Sequence, residues 1–124
     1  MRLTIRLAAL FCLASALGFA ENWSGVLVDS KCYAAEERNV NPSDTEIWVD
    51  RDRGFELRYC HPKAHTKSFA IVQENGISLK LDSAGDAKAA EIVRTSHQKQ
   101  DLFVAVTGEE DRNTVLVRSI SKIR

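Results

Sequence analysis

The order of its hydrophobic patterns predicts that this chain is mainly β with one helix, folded as a five-stranded barrel of the OB-fold type. Two observations carry the prediction: five short runs that are apolar or alternating and rich in β-branched residues, and one stretch of helical period between the third run and the fourth. Closing such strands into a barrel removes their free edges, and the helix plugs one end. The same elements left open, as a five-stranded α+β sheet, are the alternative.

Residues 23–29 (WSGVLVD) supply the first strand. Residues 67–73 (KSFAIVQ) form a β-rich run, Asn75-Gly76 is a hairpin signal, and residues 77–81 (ISLKL) alternate apolar and polar at period two. The period changes over 86–98, where Ala89, Ile92 and Val93 share one helical face and Ser83 with Asp86 forms a cap. Residues 102–107 (LFVAVT) and 114–120 (TVLVRSI) make a second strand pair across a polar connection, 108–113. The segment 45–59 is ambiguous. Ile47 and Val49 suit a strand, Trp48, Arg51, Phe55 and Tyr59 suit one side of a helix, and Gly54 interrupts either, so it reads as irregular or short helix. No internal repeat appears and no linker divides the chain.

Residues 1–20 read as an export signal. Arg2 and Arg6 precede an apolar run, and Gly18-Phe19-Ala20 places small residues where a signal peptidase cuts. The run falls short of the roughly 20 apolar residues that span a bilayer, and polar Glu21 and Asn22 follow it at once. Cys12 is preceded by Phe11, where a lipoprotein anchor needs a small residue, and is expected to leave with the signal. Cleavage near Ala20 leaves a single domain, 21–124, expected to be secreted or periplasmic with no membrane anchor. The full chain's 44% hydrophobic and 27% charged residues are those of a globular protein, not of a disordered tail or collagen. The loss of two arginines and no acid turns a net charge of zero into a small negative one, with no polybasic arm, so nucleic acid is not an expected partner. Asn22-Trp23-Ser24 matches a glycosylation acceptor.

Cleavage also turns three cysteines into two, Cys32 and Cys60. In an oxidising compartment such a pair predicts a disulfide, here tying down the 32–60 loop, whose polar stretch from Tyr33 to Asp44 is not expected to order itself by burial. The competing reading is a metal site in which Cys32, Cys60, His61 and His65 resemble a structural zinc set, although adjacent Cys60 and His61 suit one tetrahedral ion poorly. A haem attachment at Cys60-His61 lacks the first cysteine of its motif.

No nucleophile elbow, redox C-x-x-C, Walker loop or zincin helix is present. Glu36, Glu37, Asp50, Asp52 and Glu56 are carboxylates without a visible pairing, and read as charged loop residues. Arg58, His61, Lys63, His65 and Lys67 form the densest basic stretch outside the signal, a candidate cationic rim for an anionic ligand. Trp48, Phe55 and Tyr59 beside it offer either stacking surface for a sugar or peptide, or core packing.

The opening from Trp23 to Cys32 (WSGVLVDSKC), the later Cys60, Lys67-Ser68-Phe69-Ala70, the Asp86-Ala87-Lys88-Ala89-Ala90 helix and the Val117 to Ile120 strand together resemble small exported bacterial proteins with OB-like domains and no established activity. The resemblance spans nearly all of 21–124 and implies a fold and a secretion route, with no catalytic residue. The expected protein is therefore a non-enzymatic exported module, without a cofactor, that binds a small anionic, glycan or peptide ligand of the cell envelope. A metal-binding protein and a cell-envelope hydrolase are the alternatives.

Overall fold

The computed structural model describes residues 20–38 and 46–124. Residues 1–19, which carry the expected export signal, and 39–45 lie outside them, as do the side chains of Trp48, Asp50 and Asp52. Five strands, β1 (Glu21–Asp29), β2 (Phe69–Val72), β3 (Ser78–Leu81), β4 (Phe103–Asp111) and β5 (Thr114–Lys122), close into a barrel in the order β1-β2-β3-β5-β4. Every neighbouring pair is antiparallel except β3 with β5, which run parallel through Lys80↔Thr114 and Leu81↔Val115. This is the OB-type barrel, and its closure sets aside the open sheet.

Three helices accompany the strands, not one: α1 (Ser30–Arg38), α2 (Glu46–Tyr59) and α3 (Ser83–Ser96). The polar stretch from Tyr33 is helical as far as Arg38, the part of it that is described, and α1 gains what its polar composition lacks from two residues. Asp29 caps it, accepting from the Lys31 and Cys32 N–H groups at 3.1 Å each, and Tyr33 is buried to 2% exposure. In α2 the helical option holds through all 14 residues with Gly54 inside, a cost of only about 1 kcal/mol relative to alanine. α3 starts three residues before the expected point. Its cap is Asp82, which accepts from Gly85 N–H at 2.9 Å and from Val117 N–H at 3.2 Å on β5. Asp86 instead accepts from Phe69 N–H at 2.9 Å, tying the helix to β2.

The 108–113 connection is likewise mostly strand: β4 runs to Asp111, and the turn is only Arg112-Asn113, both left-handed at φ 52° and 65°. Positive φ at both central residues matches the twist of a two-residue hairpin. The Asn75-Gly76 turn forms as expected, with Gly76 at φ 87°, where a side chain is strained.

The core has two parts because two strands are buried on both faces. Leu27, Phe69, Ile71, Leu79, Leu81, Val104, Val106 and Val115 fill the barrel, and Ala89 of α3 packs on them. On the outside, Val26, Val28, Ala70 and Val72 pack with Tyr33, Cys60 and Leu57 beneath α1 and α2. The register agrees: Leu27 opposes Ile71 inside, while Val26 opposes Val72 and Val28 opposes Ala70 outside. Gly25 is needed here, since a Cβ would lie 2.5 Å from the Val72 carbonyl oxygen. β3 is different. Its residues alternate exposed and buried, so its outer face is left open.

Candidate functional site

That open face, roofed at one side by α1, is the candidate site. The cleft encloses about 800 Å³, within the roughly 300–1,000 Å³ usual for small-ligand sites. Ser78 and Lys80 enter from β3, Ala70 from β2, Ser30, Lys31, Ala34 and Glu37 from α1, and Asn113 from the β4–β5 turn.

The pieces are held from several directions. Asp29 fixes the start of α1 through its cap, and its second carboxylate oxygen accepts from the Thr66 hydroxyl at 3.0 Å. Thr66 is itself buried and accepts from Lys63 N–H at 3.0 Å, so one side chain joins α1 to the strap before β2. Ser30 N–H donates to the Ser68 carbonyl at 3.0 Å, and the two serine hydroxyls share a hydrogen bond. Cys32 and Cys60 form a disulfide, with Cα atoms 5.5 Å apart, linking the first turn of α1 to the end of α2. On the far wall, Lys80 N–H donates to the Asn113 carbonyl at 3.0 Å, setting the hairpin turn against β3.

Among the described residues the charged lining of the cleft is Lys31 and Lys80 with Glu37. Glu37 accepts from the Tyr33 hydroxyl, whose pKa is pushed well above the usual phenol range, first by burial and then by this hydrogen bond and the Glu37 charge. Tyr33 therefore stays a neutral donor. No ion pair within 4.0 Å engages either lysine among the described residues.

The expected cationic rim and the stacking pair beside it are distributed over three places. Phe55 and Tyr59 lie side by side on α2, ring centroids 6.1 Å apart and planes 13° from parallel, and are 60% and 59% exposed. The core-packing option for this pair is thereby overturned, because their side of α2 faces solvent. Arg58, between them, is also exposed. His61 Nε2–H donates to the Gln98 carbonyl at 2.8 Å, while its Nδ1 is buried with no hydrogen-bond partner among the described residues. This histidine braces the end of α3. Lys63 lines a separate groove of about 480 Å³ against Ala87, Ala90 and Arg94 of α3, and His65 and Lys67 are exposed.

The alternative zinc set of Cys32, Cys60, His61 and His65 is not assembled. The two sulfurs are bonded to each other, and among the described residues no three His, Cys, Asp or Glu side chains are grouped to hold an ion. Sequence reasoning missed the cleft residues Ser30, Lys31, Ser68, Ser78, Lys80 and Asn113. Only the alternation of residues 77–81, which turns Ser78 and Lys80 to the same side, hinted at them. No protein-family model, no curated protein and no solved structure matches the chain.

Proposed function

We propose that this protein is a non-enzymatic binding module of the OB type, exported to the periplasm or the medium after cleavage near Ala20, which holds a small ligand between α1 and the outer face of β2 and β3. The observation that supports this best is the cleft: a concavity of about 800 Å³ where lysine, serine and asparagine side chains converge. OB barrels bind oligosaccharides and oligonucleotides on the face of their second and third strands, an analogy that suggests a location and leaves the chemistry to the side chains. Among the described residues the hydroxyls of Ser30 and Ser68 are bonded to each other and to no base, which supports binding over catalysis. The disulfide is compatible with an oxidising compartment, and the resemblance to exported OB-like proteins agrees with that route.

A thermal-shift screen of the oxidised protein against glycans, small anions, envelope peptides and metal ions tests the binding reading. A true ligand at a hundredfold excess over Kd adds about 2.7 kcal/mol of stability. Ser78→Trp, which fills the cleft from an exposed position, is expected to abolish that shift. A shift unaffected by Ser78→Trp would refute the cleft as the site. Intact mass of the protein recovered outside the cytosol checks export, with Glu21 the expected first residue.

A further inference from the structure

We infer that the ligand of the cleft is an acidic oligosaccharide, a sugar whose carboxylate is taken by Lys31 and Lys80 while its hydroxyls meet Ser30, Ser68, Ser78 and Asn113. The inference rests on the reading of the cleft as a binding site and adds the class of molecule that fills it. Three features narrow that class.

The first is charge. The whole chain is balanced at 17 basic and 17 acidic residues, yet among the described residues the cleft is lined by two lysines and one carboxylate residue, with Asp86 of α3 near enough to feel the Lys80 charge. That carboxylate, Glu37, is already hydrogen-bonded to Tyr33. A negative group entering the cleft meets two lysines that have no carboxylate within 4.0 Å among the described residues. Charge-assisted hydrogen bonds of this kind are about twice as strong as neutral ones.

The second is the kind of anion. Phosphate is best held by arginine forks or by the free N–H groups at a helix start. Among the described residues no arginine lines the cleft, and the start of α1 is not free, because Asp29 already accepts from Lys31 N–H and Cys32 N–H. Lysine ammoniums with neighbouring hydroxyls suit a carboxylate flanked by alcohols, the arrangement of a uronic acid.

The third is the absence of what a peptide needs. An extended peptide adds to an exposed strand edge, but β2 is paired on one side with β1 and on the other with β3 inside a closed barrel. Nor do the described residues offer a deep apolar socket for a side chain: the apolar floor is the small residues Ala34 and Ala70, with Tyr33 only 2% exposed.

The test titrates the oxidised protein, labelled with ¹⁵N, with trigalacturonic acid, its neutral methyl ester, inorganic phosphate and an acidic hexapeptide, each at low and high salt. Trigalacturonate is expected to shift the amides of Lys31, Ser78, Lys80 and Asn113 and to weaken with salt. Lys31→Gln and Lys80→Gln are each expected to raise its Kd roughly tenfold, equivalent to about 1.4 kcal/mol. Both lysines are exposed, so these variants are expected to fold. If the methyl ester binds the cleft as tightly as the acid, or if phosphate or the hexapeptide binds there more tightly, the ligand class is wrong and the binding module stands. If no probe moves a cleft amide while one moves amides elsewhere, both readings fall.

Discussion

Removing the Cys32–Cys60 crosslink by the double substitution Cys32→Ala/Cys60→Ala releases a constraint whose size follows from the sequence separation of 28. The closed loop of about 29 residues lowers the entropy of the unfolded chain by an amount worth roughly 3.6 kcal/mol at 25 °C. For a domain of about 100 residues, with total stability of about 5–15 kcal/mol, that is a fall in Tm of roughly 14–29 °C. Urea denaturation followed by circular dichroism is the assay, comparing the oxidised protein, the same protein reduced, and the double variant. Reduction retains the Cys60 side chain, which is buried to 1% exposure, so the reduced sample isolates the constraint from lost packing. The m-value is expected to rise in both uncrosslinked samples, because a freer unfolded chain exposes more surface. A stability difference below about 1 kcal/mol between oxidised and reduced protein would refute the reasoning.

Asp29→Ala removes the cap on α1 and leaves the buried Thr66 hydroxyl without its acceptor, for an expected loss of about 2–4 kcal/mol by urea denaturation; Asp29→Asn should recover part of it. Gly25→Ala drives a methyl to 2.5 Å from the Val72 carbonyl oxygen, which must displace β2, and an expected cost of about 1–3 kcal/mol is read from the urea midpoint. Burial, opposed by the Phe69 N–H bond and Lys80 and aided by Asp82, raises the pKa of Asp86. The folded protein then holds this proton more tightly than the unfolded chain, so the Asp86 contribution is full below the ordinary aspartate range near pH 4 and is lost as pH rises through the folded value. Asp86→Asn, which retains an oxygen for Phe69 N–H, is expected to flatten the dependence of the urea midpoint on pH in that window.

What the sequence displayed of this molecule, and what it hid, divides along a physical line. The strands were legible because alternation and β-branching mark them locally: 77–81 reads apolar and polar by turns, and β3 buries Leu79 and Leu81 while exposing Ser78 and Lys80. The continuous Phe69–Val72 run signals burial on both faces, and hence a second layer, because all four of its residues are apolar. That layer is α1 and α2. They were obscured because their stability comes from distant partners: Tyr33 against Val28 and Ala70, and a covalent tie to Cys60. The cleft was hidden for the same reason. Lys31 and Lys80 lie 49 positions apart and meet only because α1 folds back over the barrel. Nearness in sequence, which drew attention to residues 55–67, is a poor guide when a helix and a turn separate neighbours: His61 points to α3 while Phe55 and Tyr59 face solvent.

The pairing of β1 with β4, which sets Glu21 opposite Gly108 and Val26 opposite Phe103, governs the order of events in folding. Among the described strands, β1 is the first in the chain, and one of its two neighbours, β4, is the fourth. The crosslink joins residues separated by 28 positions, so once formed it shortens the loop that the β1–β4 pairing must close. Such long-range pairing belongs to chains that fold in about milliseconds to seconds.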